Sequence, residues 1–442
     1  MTAVDQTFRY TGASALRTGR DATSLALVGE ADGTDAPVFL RARARDPFVT
    51  ARGLRAVTEI VGSRFYVPPA MVARILREAD PVVTVGAETL RFEGFSACCS
   101  AFARLDLSSE ALDVDARSKG TTNVDFGPEL RAALASVGRD ATLDLTVGAD
   151  AVTLARDGRH YVERKVPLPL RWIKGFGEVQ VAMAGMEPAF VLRGVVAQRF
   201  LRSLPRSKSD HLQWLTMAGD SLRAAARENR GAVPLRGAHR LRVLEPLIGL
   251  ADTLAVHVNR ATGATGWIAH IGAQRFCLVL NQDPWRGFSG DGGLLSRAHG
   301  ASEAAVARVR AQLHWQDRIE PRALAETTGL EENEARDALA HLAALGLVGF
   351  DLSDGAYFHR VLPFGGKSLQ ALNPRLKAAE ALVGHVRRVE GGAELDSDGA
   401  THRITQTETG WRCTCPWFAR YGGRRGPCKH VLATEMVMEH WA

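Results

Sequence analysis

The sequence has little cysteine: six residues among 442, and half of them fall between positions 413 and 428. Of the other three, Cys98 and Cys99 are adjacent and poor partners for each other, and Cys277 stands alone. No disulfide framework is laid out, and plain buried, reduced thiols are expected at these positions. No stretch approaches the run of about 18 apolar residues that would cross a bilayer. The opening MTAVDQTFRYTG also lacks the basic and then apolar segments of a secretory leader. The expectation is a cytoplasmic protein without membrane contact. Missing too are a lysine-bearing phosphate loop, a nucleophile elbow, a zinc-hydrolase helix and a pair of carboxylates at catalytic spacing. The segment RWIKGFGEVQ at 171–180 brings Trp172, Lys174 and Glu178 together, but on a strand edge this reads as a solvated charge pair. The protein is therefore expected not to be an enzyme.

Apolar residues make up 46% of the chain, enough to build cores, and 442 residues exceed what one core normally serves, so several domains are expected. Lys and Arg exceed Asp and Glu by 55 to 49, a net +6 that permits contact with a polyanion but is diluted over the chain.

The first 281 residues repeat. Segments opening at Pro69, Pro128, Pro188 and Pro246, spaced by 59, 60 and 58 positions, read as helices with proline in the first turn, where its missing N–H is not needed. In the second, Leu130, Ala133, Leu134 and Val137 keep helical spacing. Each is followed by a strand-turn-strand pattern, with Gly86, Gly148, Gly219 and Gly272 at the turns. The fold class expected is α+β and multidomain, built here from repeated units of a helix and antiparallel strands. The unit resembles the half-domain of DNA sliding clamps, which also set helices on one face of a curved sheet; a plain repeat of α+β layers accounts for the same spacing. Arg74, Arg77, Arg131 and Arg193 are mixed with Glu78, Asp80, Glu129 and Glu187, which reads as an ordinary solvated face.

Residues 282–300 carry five glycines and read as a linker. Residues 301–363 have the pattern of a winged helix-turn-helix. A first helix carries Val306, Val309 and Leu313 on one face, a second ends near Gly329, and a third carries Ala335, Leu339, Leu342 and Leu345 inward and stops at Gly346. A hairpin then turns at Asp354-Gly355. The start of the third helix bears Glu331, Glu332, Glu334 and Asp337 against Arg336, a charge that phosphates would repel, so this module is expected to be structural or to contact protein. Residues 364–398 read as a linker and a helix from about Pro374 to His385.

The last segment reduces to Cys413-x-Cys415, twelve residues, and Cys428-x-His430. Three thiolates and an imidazole make a tetrahedral zinc set, and four protein ligands leave no open position for a reactive water. One structural zinc ion is expected. Residues two apart in a strand share a face, so Cys413 and Cys415 can converge there, while Cys428 and His430 fall at the start of a closing helix. This pattern resembles the SWIM zinc finger, a ββα module that here would span residues 399–438. The resemblance implies a module proposed in its family to bind DNA or protein. The chain further resembles bacterial SWIM-family proteins of similar length whose genes accompany MoxR-type ATPases and von Willebrand A-domain proteins, which are the protein partners implied.

Around the zinc set, Arg412, Arg420, Arg424, Arg425 and Lys429 are interleaved with Trp411, Trp417, Phe418 and Tyr421. Basic groups among aromatics suit single-stranded nucleic acid, although the rings also suit the small core of a zinc module. Two functions follow: a zinc-binding interaction or scaffold protein without catalysis, or a nucleic-acid-binding protein of recombination, repair or transcription that uses this loop.

Overall fold

The computed structural model of the chain describes residues 15–18, 23–26, 37–63, 81–294 apart from 125, 158, 166–167 and 284–286, 301–363, and 374–438 apart from 408–409. Among them no helix is long and apolar enough to cross a membrane.

After a hairpin of β1 (Ala15–Thr18) and β2 (Thr23–Ala26), the chain runs through four related units. The first holds β3 (Val38–Ala44), α1 (Pro47–Gly62), β4 (Val82–Val85), β5 (Thr89–Phe95) and β6 (Ala101–Ser108). The second holds β7 (Leu112–Arg117), β8 (Gly120–Asn123), α2 (Pro128–Ala135), β9 (Asp144–Gly148), β10 (Ala151–Arg156) and β11 (Arg159–Arg164). A connecting helix, α3 (Leu170–Ala184), leads to the third: β12 (Glu187–Arg193), α4 (Gly194–Ser203), β13 (Leu212–Ala218), β14 (Ser221–Ala225) and β15 (Val233–Arg236). The fourth holds α5 (Glu245–Ile248), β16 (Thr253–Val258), β17 (Thr265–Ile271) and β18 (Gln274–Leu280). All four glycine turns lie between paired strands, as the sequence pattern requires.

The units exchange strands. β3 of the first pairs with the β9–β11 meander of the second, in the order β11-β10-β9-β3-β7, while β8 of the second joins β4–β6 of the first. In the later half, β12 of the third unit joins β16–β18 of the fourth. β6 and β18 pair, fusing both halves into one eight-stranded sheet, β12-β16-β17-β18-β6-β5-β4-β8, beside a three-stranded sheet, β14-β13-β15.

Two expectations change here, and a third falls outside the described residues. The helix expected at Pro69 lies outside the described residues; the first unit's described helix starts at Pro47, with Asp46 accepting from Val49 N at 2.9 Å as its cap. Pro188 opens a strand instead of a helix. β12 is an edge strand and its register shifts between Pro188 and Phe190, which is where a sheet tolerates a residue without an N–H. Residues 171–180 lie in α3, not on a strand edge: Trp172, Ile173, Phe176, Val179 and Met183 recur at helical spacing and are buried. The glycines that weaken its helical signal serve packing, since a Cβ on Gly175 would lie 3.2 Å from Phe95.

Residues 301–363 form α6 (Glu303–Ala311), α7 (Pro321–Thr328), α8 (Glu332–Ala344), β19 (Val348–Asp351) and β20 (Ala356–His359). Both strands of the hairpin are buried against the eight-stranded sheet, while Gly355 at the turn is exposed. Charges stitch the contact: Arg104 meets Asp351 at 3.0 Å, Arg91 meets Asp351 at 3.3 Å, Arg275 meets Asp354 at 2.6 Å, and Arg360 pairs with Glu93 where both are fully buried. The preceding stretch, expected as a linker, is partly built into the core. Phe288 is fully buried 6.2 Å from Phe95, and Gly287, at φ +50, abuts the carbonyl of Cys99.

The C-terminal module holds α9 (Pro374–Glu380), β21 (Val386–Val389), β22 (Gly392–Ser397), β23 (Ala400–Thr407), β24 (Gly410–Cys413), α10 (Pro416–Tyr421) and α11 (Lys429–Met438). Its sheet order, β21-β22-β23-β24, shows that residues 386–397, expected as linker, supply half of the sheet. They were hidden because VRRV and GAELDS are polar on the outward side and short.

Candidate metal centre

Three local structures bring the ligands together. Cys413 ends β24; Cys415 caps α10, followed by Pro416 in the first turn, and its Sγ accepts from Phe418 N at 3.4 Å. Cys428 stands directly before α11, where its Sγ accepts from Val431 N at 3.4 Å, and His430 lies in the first turn of that helix. Both cysteines thus face the N–H groups of helix starts, which favour thiolate. Cys415 N also donates to Cys413 Sγ at 3.5 Å.

The ligand atoms of Cys413, Cys415, Cys428 and His430 lie within 4.8 Å of one another and all four residues are buried. Nδ1 of His430 is 3.7 Å from Cys413 Sγ and 4.0 Å from Cys428 Sγ. A tetrahedron with metal-sulfur bonds of about 2.3 Å has edges of roughly 3.5–3.8 Å, so the cage fits zinc with little adjustment. A hydrogen bond from Cys413 pulls the Cys428 thiol down to about 4 and raises Cys413, while burial raises Cys415. His402 stacks on His430 with ring centroids 4.2 Å apart and holds the ligand ring flat.

The loop between the ligand pairs is fastened to the rest of the protein. Arg425 pairs with Asp283 at 2.8 Å and Asp291 at 3.3 Å, and Asn281 donates to Asp291 at 2.6 Å. Arg375 lies over Trp417 and donates to the carbonyls of Arg425, Pro427 and Gly290 at 3.0, 3.1 and 3.2 Å. Behind this contact sits Glu178, which accepts from Leu294 N at 3.1 Å. Burial pushes its carboxyl up to about 8 and that of Asp291 to about 6.

The five basic residues read from the sequence therefore separate. Arg412, Arg420 and Arg424 are exposed. Arg425 is buried and ion-paired, which corrects its assignment as a contact for nucleic acid. Lys429 is half-buried and bound to Asp398 at 2.7 Å. Arg375, Asp283 and Asp291 were missed, and Glu178, read as a solvated charge, is buried. The paired aspartates in the glycine-rich QDPWRGFSGDGG were the available signal, since acids in a loop that must pack require basic partners.

Residues 402–437 match the family model of the SWIM zinc finger. With the three-cysteine, one-histidine cluster, this supports a zinc-binding module. No curated protein sequence is similar to the chain. Solved structures that resemble it include proliferating cellular nuclear antigen from Entamoeba histolytica, at 10% identity over 55% of this chain and 99% of that one, with a TM-score of 0.38. The PCNA2–PCNA3 complex from Sulfolobus tokodaii resembles it at 10% identity over 55% and 98%, with a TM-score of 0.41.

Proposed function

We propose that the protein is a zinc-containing interaction protein without catalytic activity, working in the cytoplasm, where its free thiols stay reduced. The closed ligand set carries this reading: four buried protein donors leave no coordination position for a substrate or a nucleophilic water. The ion is structural and fixes the loop that Arg425 and Arg375 fasten to the core. Residues 301–363, read as a winged helix, support the same view. The hairpin is buried within the chain and the start of α8 is acidic, so neither is suited to a DNA groove. By resemblance, a MoxR-type ATPase and a von Willebrand A-domain protein are the partners to test.

Purified protein is expected to carry about one zinc per chain, and Cys428→Ser to lose it together with the protease resistance of residues 374–438. Metal-free wild type with an intact C-terminal module would overturn the reading.

A second reading, nucleic-acid binding, is favoured by the exposure of Arg412, Arg420 and Arg424, the last two beside Tyr421. Its test is an affinity that falls steeply with salt and drops when these three arginines become alanine.

A further inference from the structure

Residues 193–242 contain eleven Lys and Arg against three Asp and Glu, a net +8, whereas the whole chain carries +6; the remainder is net −2. The positive charge is concentrated in the third unit. Arg199, Arg202, Arg206, Arg223, Arg227 and Arg230 are all exposed, and among the described residues none of them forms an ion pair. Self-repulsion of this density opposes folding and gains nothing inside the molecule, so its use lies in an external polyanion.

The same unit carries an open sheet face. Leu215, Leu222, Val233 and Leu235 point inward and are buried on the side of α4. On the other side, cross-strand register sets Trp214 opposite Ala225 and Pro234, Thr216 opposite Arg223, and Leu212 opposite Arg236. Trp214 is partly exposed between the two arginines. It lines a cleft of about 630 Å³ whose far wall is the zinc loop, with Tyr421 and Arg424; Arg236 and Arg260 also line it. Of the acids in the cleft, Asp283 and Asp291 are paired with Arg425, while Asp210 and Glu228 offset the remaining arginines. Inside the cleft, ring faces rather than net charge are the distinctive chemistry, and the net charge lies along the unit outside it.

We propose that the outer face of β13–β15, with its cleft to the zinc loop, binds single-stranded nucleic acid. The proposal deepens the second reading above and rests on it. Trp214 stacks on a base while the arginines of the third unit follow the phosphates, a division of labour that tolerates any sequence; Tyr421, whose ring already lies against Arg420 and Arg425, walls the cleft. A duplex keeps its bases stacked inside and leaves Trp214 without a partner. An acidic peptide would meet the charge but presents no succession of ring faces.

The test is fluorescence anisotropy of a labelled thymidine oligonucleotide of about 20 residues, titrated with full-length, zinc-loaded protein at several salt concentrations. Binding is expected to weaken steeply with salt, and a duplex of equal length to bind at least about ten-fold less tightly. Trp214→Ala is expected to lose about ten-fold in affinity and Trp214→Phe to restore most of it, with Arg223→Ala/Arg236→Ala lowering the salt slope. Circular dichroism and zinc content show that each variant is folded. Equal affinity for duplex, full competition by polyglutamate, or no effect of the Trp214 and arginine variants would overturn the proposal. If binding then still depends on Arg412, Arg420 and Arg424, the second reading stands without it; no binding at low salt ends both.

Discussion

Arg425 donates to Asp283 at 2.8 Å across 142 positions of the chain, while its neighbour Arg424 points to solvent. This pair joins the loop that leads into Cys428 to the glycine-rich stretch before residues 301–363. Zinc binding and the seating of the C-terminal module therefore act on the same few residues, 422–428.

Replacing the two arginines separates structure from surface. Arg425→Ala removes the cation held between Asp283 and Asp291 and is expected to cost roughly 3 kcal/mol in urea unfolding. Arg424→Ala is expected to change stability by no more than about 0.5 kcal/mol. Zinc content stays at the wild-type level in both, because all four ligands remain.

Gly426 has φ +76, and a Cβ there would lie 2.2 Å from the carbonyl carbon of Gly292. Gly426→Ala combines backbone strain with a clash against main chain, neither of which a side chain can relieve. We expect a loss of about 1–3 kcal/mol and faster proteolysis within 281–294, read by limited digestion of the zinc-loaded protein.

Glu178 gives a pH signature. Its folded value, about 8, lies above the ordinary 4.5 because burial disfavours the carboxylate, so folding takes up a proton between these values. Stability from this group is greatest at low pH and falls as pH rises through that window, by at most about 1.4 kcal/mol per pH unit. Glu178→Gln keeps an acceptor for Leu294 N and is expected to flatten the stability profile from pH 5 to about 8. An unchanged slope would show that Glu178 is ionised in the folded protein.

The Arg360–Glu93 pair tests how the 301–363 module is attached. Burial pushes the Arg360 guanidinium down, and both side chains are fully enclosed. Glu93→Gln is expected to destabilise by roughly 3–5 kcal/mol, whereas Glu93→Leu/Arg360→Met recovers most of that loss, since apolar side chains of similar volume need no desolvated charge. Thermal unfolding of the single and double variants measures the difference.

Much of the local structure was legible. Gly148, Gly219 and Gly272 mark their hairpins, Pro128 opens α2, and Gly346, at φ +72, follows the end of α8. These signals act within a few residues. Pro188 misled because helix starts and edge strands both accept a residue without an N–H. RWIKGFGEVQ misled because Gly175 and Gly177 lower helix propensity, and their reason, close contact with Phe95 and Leu294, lies elsewhere in the chain.

The sequence by itself determined the zinc ligand set, since ligand type and spacing within each pair are properties of a short segment, and a strand end and a helix start suffice to converge them. Tertiary structure decided the rest. It set which unit lends its strand to which sheet, whether an arginine meets solvent or an aspartate, and which faces stay uncovered. Arg424 and Arg425 are alike in sequence and adjacent, and their fates differ because burial and ion pairing depend on Asp283 and Asp291, which reach the loop only once the chain has folded.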